Sequence, residues 1–273
     1  AEFNFDTTTF ILIPDKESSP DGFLAGLLLN ELVDKYHQQI AIVKKSVFSD
    51  EDRFILIGDI KNPLVRKYCQ KEGLYADLKA LGDEGYILSV TENKIVVAAN
   101  TSKGALFGLE SLRQVIRKNK KTLYVTQMIV KDSPLYPFRG IKLYLPGRDN
   151  IQFFKRFIKD FVAFYKFNKI ILELNANMRL VRHPELNIGT VEFERHLNFS
   201  RLDRPPGVHK EYQNSSHQDN ADGEILEKEE VADIVSYIRK FNIEVIPELP
   251  SLTHAYYLLF GHRDLAENIA QPW

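Results

Sequence analysis

Five segments in the second half of the chain alternate between strand-like and helix-like periodicity, and that alternation leaves few folds open. Gly140 to Leu145 reads as an apolar strand, Ile151 to Phe167 as a helix and Lys169 to Leu174 as a second strand. Lys228 to Phe241 is an amphipathic helix with Val231, Ile234, Val235 and Ile238 on one face, and Ile243 to Pro247 is a third strand. This order predicts parallel strands joined by right-handed crossovers, because each strand reaches its neighbour through a helix that must pack back on the sheet. A further helix starts over Ala255 to Phe260. A closed (β/α)8 barrel takes about 250 residues, so three of its eight units is the most the segment can supply. An incomplete barrel exposes an apolar edge, and self-association through it is expected. An open flavodoxin-like layer is the alternative.

The first half has a different rhythm. Thr9 to Ile13 is a β-branched strand stopped by Pro14. A helix follows, capped over Ser19-Pro20-Asp21, with Leu24, Leu27, Leu28 and Leu32 on one face. Ile40 to Val43 and Phe54 to Ile57 read as short buried strands, and Tyr86 to Val90 and Lys94 to Ala98 flank Thr91-Glu92-Asn93 as a hairpin. From Thr101 or Ser102 a helix carries Leu106, Leu109, Leu112, Val115 and Ile116 as its stripe. Its small residues Gly104, Ala105 and Gly108 allow close approach to the strands; a phosphate-cradling loop would place glycines before the helix. The basic run Arg117 to Lys121 suits that helix's C-terminus through the dipole. Leu123 to Val130 is extended, and Lys131 to Pro137 punctuates the chain with two prolines. The domain boundary is placed there, giving 1–133 and 134–273.

Lys and Arg number 36 against Asp and Glu 37, so the basic footprint of a nucleic-acid binder is missing and no such partner is expected. The longest apolar candidate, Phe23 to Leu29, falls short of the about 18 residues of a membrane span, and none is expected. Cys69 stands alone and forms no internal disulfide. It falls in a polar helical stretch. The opening residues carry neither a basic nor an apolar leader region, so an export signal is expected to have been removed or never included. Asn100, Asn198 and Asn214 each open a glycosylation tripeptide. His183, His196, His209 and His217 are irregularly spaced without an i,i+4 pair and read as solvated loop residues. Neither a metal nor a cofactor is expected.

Tyr136-Pro137-Phe138-Arg139-Gly140-Ile141-Lys142-Leu143 resembles the start of the catalytic barrel in glycoside hydrolase family 20, the β-N-acetylhexosaminidases. Ile243 to His254, with Ile246-Pro247-Glu248 at its centre, resembles that family's third-strand motif. Gly85 to Val90 and Ala99 to Leu112 resemble the accessory domain in front of the barrel. The resemblance implies an α/β fold: an N-terminal α/β sandwich accessory domain over 1–133, then an incomplete (β/α)8 TIM barrel over 134–273. It also implies a carbohydrate partner, an N-acetylhexosaminide or glycan, and export, to the outside or to a bacterial periplasm.

In that family the substrate's own acetamido oxygen attacks the anomeric carbon. An Asp orients the acetamide, and the adjacent Glu protonates the leaving oxygen and later activates water. The pair ends the fourth barrel strand. The resemblance therefore implies a pair beyond Trp273, no catalytic residue within the chain, and no hydrolysis by it alone. Asp50-Glu51 and Asp83-Glu84 fall in the accessory domain and read as solvated loop charges. By the same resemblance Arg139 binds the outer hydroxyls of the terminal sugar, and Glu248 and His254 serve at the mouth of the barrel. Glu173 and Asn175 are further polar contacts there. The second strand departs from the family, whose members read His-Trp-His-Leu where this chain has Leu172 to Met178, so the sugar and subfamily stay open. The polar stretch Arg201 to Gly223 would overhang the mouth. Two alternatives remain: another retaining glycosidase with a similar accessory domain, such as an α-glucuronidase or a family 84 relative, and a non-catalytic carbohydrate-binding or assembly module.

Overall fold

The computed structural model describes residues 1–16, 19–120, 122–174, 177–188, 225–252 and 255–267. The chain divides into two units, Ala1–Pro137 and Phe138–Trp273.

The first unit is built on a six-stranded sheet. Phe10–Pro14 (β2), Ala41–Lys45 (β3), Phe54–Asp59 (β4), Tyr86–Val90 (β5), Lys94–Ala99 (β6) and Met128–Asp132 (β9) lie in the order β3-β2-β4-β6-β5-β9. The first four strands in that order are parallel, and β5 runs antiparallel to both β6 and β9. Four helices cover the sheet: Ser19–Tyr36 (α1), Pro63–Lys71 (α2), Tyr75–Ala80 (α3) and Ser102–Val115 (α4). Phe54, Ile55, Leu56 and Ile57 are all buried, because β4 is covered on both faces and has no wet side to alternate with. Leu12, Phe54, Leu56, Ile87 and Val96 share one core with Leu64, Val65, Tyr68 and Cys69 of α2 and Leu78 of α3. The intervening residues Ile11, Ile55, Leu88 and Val97 are buried on the other face, where α1 and α4 pack. Glu2–Asn4 (β1), Arg117–Lys118 (β7) and Leu123–Thr126 (β8) form a small antiparallel sheet of order β1-β8-β7.

The local chemistry explains the element ends. Asn62 Oδ1 accepts from the amides of Leu64 and Val65, and Pro63 follows it at the first turn, which caps α2. Thr101 Oγ1 accepts from the Gly104 amide at 3.3 Å and caps α4. A methyl on Gly108 would stand 2.4 Å from Val97 Cγ1, so the close approach of α4 to β6 does require glycine there. Glu31 of α1 and Glu110 of α4 both bind the Arg113 guanidinium, at 2.8 and 2.6 Å, in the buried layer between the two helices.

The basic run lies at helix ends: α4 stops at Val115, Arg117 donates to the Gln114 carbonyl at 2.6 Å, and Lys118 donates to the carbonyl of Tyr36, the last residue of α1, at 3.2 Å. Arg117 and Lys118 also pair with Tyr124 and Leu123 as a short strand. The extended run Leu123 to Val130 is divided between β8 and β9, in two sheets. Cys69, in a helix of polar composition, points inward and is fully buried. Of the glycosylation tripeptides, Asn100 donates its amide to the carbonyls of Leu78 and Gly82 at 2.7 and 2.9 Å, and Asn198 and Asn214 lie outside the described residues.

The second unit carries three parallel strands, Gly140–Tyr144 (β10), Lys169–Glu173 (β11) and Glu244–Glu248 (β12), in the order β10-β11-β12. The helix after β10 begins as Ile151–Phe157 (α5) and continues through Ile158–Ala163 as a π-helical segment, short of the expected Phe167. Lys228–Arg239 (α6) precedes β12 and packs on both it and α5; Tyr256–Gly261 (α7) follows β12. Lys166 and Asn242 take positive φ, 60° and 55°, where α5 and α6 turn into the next strand.

Candidate functional site

In a parallel sheet, residues in register point to the same side, and successive residues alternate. Tyr144, Glu173 and Glu248 are register partners at the C-terminal ends of β10, β11 and β12. Lys142 is two residues before Tyr144 and so shares their face. The opposite face holds Ile170 and Leu172, both fully buried. The sequence thus divides each strand into an apolar side, covered by helices, and a side carrying charge at its C-terminal end.

On that second side the Lys142 Nζ stands 2.7 Å from Glu173 Oε2 and 2.7 Å from Glu248 Oε1. Glu173 has no exposed side-chain surface, Glu248 keeps 33% and Lys142 41%. Hydrogen bonds to Glu173 and then Glu248 raise the Lys142 ammonium well above the usual lysine range. The backbone ladder runs on past the strand ends: Leu145 donates to the Glu173 carbonyl at 3.1 Å and Leu174 to the Glu248 carbonyl at 3.0 Å. Tyr257 of α7 is buried and donates its hydroxyl to the Pro250 carbonyl at 2.7 Å. Burial first, and the Glu173 charge second, push the Tyr257 phenol up.

The segment after β11 folds against the same end. Asn187 accepts from the Leu180 amide at 2.7 Å and donates to the Met178 carbonyl at 3.0 Å. Leu186 packs on Tyr257, and Glu185 Oε1 lies 3.2 Å from His183 Nδ1 and 3.3 Å from His262 Nε2. The loop after β10 is tied to α6: Arg148 makes a two-pronged contact to Glu230 at 2.9 and 3.0 Å and donates to the Ile225 carbonyl at 2.8 Å.

Of the five residues expected at the mouth, the structure brings Glu173 and Glu248 together. Arg139 precedes β10, at the other end of the strands. Its Nε donates to the Lys166 carbonyl at 2.9 Å, its amide donates to Asn168 Oδ1, and its carbonyl accepts from the Asn168 amide. About five residues of strand, roughly 16 Å, separate its backbone from the level of Glu173. Asn175 and His254 lie outside the described residues, as do His196, His209, His217 and the stretch 201–223. Asp50-Glu51 and Asp83-Glu84 both belong to the first unit; Asp50 pairs with Lys71 and Lys94, and Glu84 with Lys103. Sequence reasoning missed Lys142 and Tyr257. A lysine inside an apolar strand, on the same alternation as a C-terminal glutamate two strands away, was the available sign. Among the described residues no cluster of three or more His, Cys, Asp or Glu could hold a metal, and no helix is long and apolar enough to cross a membrane.

Comparison with known proteins bears on what this arrangement belongs to. Residues 1–133 match the family described as Glycosyl hydrolase family 20, domain 2. The chain is 25% identical over 188 residues to the β-hexosaminidase of Akkermansia muciniphila, covering 65% of this chain and 33% of that protein. It is 27% identical over 188 residues to β-hexosaminidase subunit A2 of Dictyostelium discoideum, covering 68% of this chain and 30% of that one. The chain therefore spans about a third of the length of the curated relatives it matches. Among solved structures, the family 20 β-N-acetylhexosaminidase of Streptomyces coelicolor aligns with 98% of this chain and 47% of its own at a TM-score of 0.66 and 19% identity. The Vibrio harveyi exo-β-N-acetylglucosaminidase in complex with N-acetylglucosamine aligns with 98% and 37% at 0.63 and 18%. At those identities the structural likeness speaks for the fold alone. The sequence matches carry the assignment: residues 1–133 are glycosyl hydrolase family 20, domain 2, and the similarity to β-hexosaminidases continues past residue 133 to about 65–70% of the chain.

Proposed function

We propose that residues 134–273 form the first three units of a β-N-acetylhexosaminidase-type barrel and contribute the sugar-holding part of its site. Residues 1–133 would then serve as the accessory domain. The observation that carries this reading is the register pairing of Glu173 with Glu248 at the C-terminal ends of parallel strands, where barrel enzymes set their working groups. Ionised carboxylates there accept hydrogen bonds from sugar hydroxyls. The substrate class is a terminal N-acetylhexosaminide, hydrolysed with its own acetamide as nucleophile. The acid–base work would fall to an Asp-Glu pair on a fourth strand, because both carboxylates found at the strand ends are bound to Lys142. Residues 1–273 are accordingly expected to bind N-acetylglucosamine without turning over an aryl N-acetyl-β-glucosaminide.

The test is to measure both properties on the full chain. Binding that Glu173→Gln and Glu248→Gln each weaken, with no hydrolysis, supports the proposal. Hydrolysis by the chain itself would place the acid–base pair within 1–273, and absence of sugar binding would remove the substrate assignment. A second reading, a non-catalytic carbohydrate-binding or assembly module, is favoured by β10 and β12 being the outer strands of their sheet. It predicts self-association with retained sugar binding, read by sedimentation.

A further inference from the structure

Hydrogen bonds at its two ends fix which residues of β10 face its neighbour. The Arg139 carbonyl accepts from the Asn168 amide and Leu145 donates to the Glu173 carbonyl. On the alternation of a ladder, Ile141 and Leu143 then turn their backbone groups to β11, and Gly140, Lys142 and Tyr144 turn theirs outward. Among the described residues no strand pairs with that outer edge. β12 differs. Glu244 donates to the Asn168 carbonyl and the Glu248 carbonyl accepts from Leu174, so Val245 and Pro247 face outward, and Pro247 has no N–H to give. Of the two edges, β10 is the one with an unbroken row of donors and acceptors.

The helix flank above that edge is aromatic. Lys155 of α5 points to α6, where it pairs with Asp233 and lies 5.5 Å from the Tyr237 ring centroid. Phe153 and Phe157, two residues to either side, stand about 160° around the helix from it, and Phe161 and Tyr165 continue the row at four-residue spacing. The Phe157 and Phe161 rings stack at 5.0 Å, and Phe161 meets Tyr165 at 5.1 Å. Phe153 keeps 61% exposure, Phe161 40% and Tyr165 58%. Ile141 and Leu143 share the helix-covered side of the sheet with their register partners Ile170 and Leu172, yet they are half-buried where those two are fully buried. That difference marks the side of α5 away from α6 as open.

We propose that the β10 edge and the aromatic flank above it are the surface on which two copies of this chain pair, β10 antiparallel to β10 about a two-fold axis at Leu143. The inference rests on the assembly reading above and names its interface. An axis perpendicular to the sheet makes one six-stranded sheet with both α5 helices on the same face. A crossover helix lies over the gap between the strands it joins, so the two α5 axes fall two strand spacings apart, about 9.6 Å, which is the distance of packed helices. A second copy therefore supplies a strand for the edge and a matching aromatic helix for the flank at once. The register follows from charge. Centring the axis on Lys142 would set two ammonium groups opposite each other, whereas centring it on Leu143 sets each Lys142 opposite the partner's Tyr144 and lets those two residues exchange backbone hydrogen bonds. The exposed fractions of Phe153, Phe161, Tyr165 and Tyr144 amount to about two whole aromatic side chains per copy, or roughly 800 Å² for the pair. With the strand edge added, this makes a weak dimer, with a dissociation constant of about 10 μM.

The experiment uses the full chain. Sedimentation equilibrium from about 1 to 100 μM should show monomer and dimer in exchange. Phe153→Glu and Phe161→Glu each put a charge on the flank and should weaken the dimer at least about tenfold, with far-ultraviolet circular dichroism unchanged. Leu143 meets the same residue of the partner as a non-hydrogen-bonded pair, with Cα atoms about 4.5 Å apart, so Leu143→Cys should cross-link into a dimer on mild oxidation. Ile141→Cys should not, because the same residue of the partner then lies about 14 Å away along the strand. The native Cys69 is buried and takes no part in either. A chain that stays monomeric throughout overturns both this proposal and the assembly reading. A dimer that ignores both glutamate substitutions, or that cross-links in Ile141→Cys and not in Leu143→Cys, overturns the proposed surface and leaves the assembly reading standing.

Discussion

Glu173 and Glu248 are register partners on β11 and β12, and one ammonium, that of Lys142, reaches both at 2.7 Å. Glu173 is fully buried, so that side of the contact is out of water. Lys142→Met should therefore destabilise the second unit by about 1 kcal/mol, less than the loss for a fully buried pair because Lys142 is half-exposed. Urea unfolding followed by Tyr and Trp fluorescence checks this, and Lys142→Arg should lie closer to wild type.

Arg113 is nearly inaccessible between α1 and α4 and carries the charges of Glu31 and Glu110. Arg113→Met should cost about 3–5 kcal/mol, since it takes the Arg113 charge away from the fully buried Glu110 and from Glu31, which keeps Lys35. The Glu31 carboxyl is pushed up by burial, but hydrogen bonding and attraction from Arg113, then Lys35, more than offset this and hold it below its ordinary value. A depressed folded pKa contributes stability above the unfolded value near 4.5, lost as the pH falls through the folded one. Unfolding free energy measured from pH 6 to pH 3 should fall for the wild type, with a smaller Glu31 contribution to that fall in Arg113→Met.

Two glycines should respond with opposite sign. Gly108→Ala places a methyl 2.4 Å from Val97 Cγ1 and 3.0 Å from the Tyr86 ring, which should destabilise by about 1–3 kcal/mol. Gly26→Ala, inside α1 with nothing within 4 Å of the added carbon, should stabilise by about 1 kcal/mol. Thermal denaturation of the pair tests whether α4, rather than helices in general, is held against the sheet by small residues.

Cys69 faces the core of the first unit, and burial pushes its thiol up to about 11. Since the thiolate is the reactive form, an aromatic disulfide reagent should modify Cys69 at neutral pH only as fast as the unit opens. The rate should rise steeply with urea in step with unfolding. Fast modification in the absence of denaturant would refute the inward placement.

How far the sequence reached depends on the range of the interactions. Parallel strands such as Phe54–Ile57 announce themselves because both faces are buried, and the βαβ order of the second half follows from local periodicity. The Asn62-Pro63 start of α2 was equally local and could have been read. Arg117 and Lys118 lie at helix ends, as a basic run favours, but their pairing with β8 is a contact that local periodicity does not show. Lys142 was out of reach for a related reason: its partners lie 31 and 106 residues along the chain, and only the register of three strands brings them to it. Arg139 shows the converse. Its motif pointed to the mouth, yet its Nε contact and backbone bonds hold it to the turn before β11.

Arg148 and Glu230 supply a last test, because they join the loop after β10 to the first turn of α6. Glu230 accepts both prongs of the guanidinium and also the Glu227 amide at 2.7 Å, so one carboxylate caps a helix and anchors a loop at once. Arg148 first, and the Glu227 amide second, hold the Glu230 carboxyl below its ordinary value. The sign follows as for Glu31: the contribution is complete above the unfolded value near 4.5 and fades as the pH drops through the folded one. Lys cannot reproduce the planar fork, so Arg148→Lys should lose part of this stabilisation, and Glu230→Gln should cost about 1 kcal/mol at neutral pH while flattening the acid limb. Amide hydrogen exchange at Val231 and Glu230, measured at pH 7 and pH 4, reads the effect where it arises. Faster exchange in both variants at pH 7, with a smaller difference from wild type at pH 4, is the expected pattern; equal rates at both values would mean that the α6 terminus holds without Arg148.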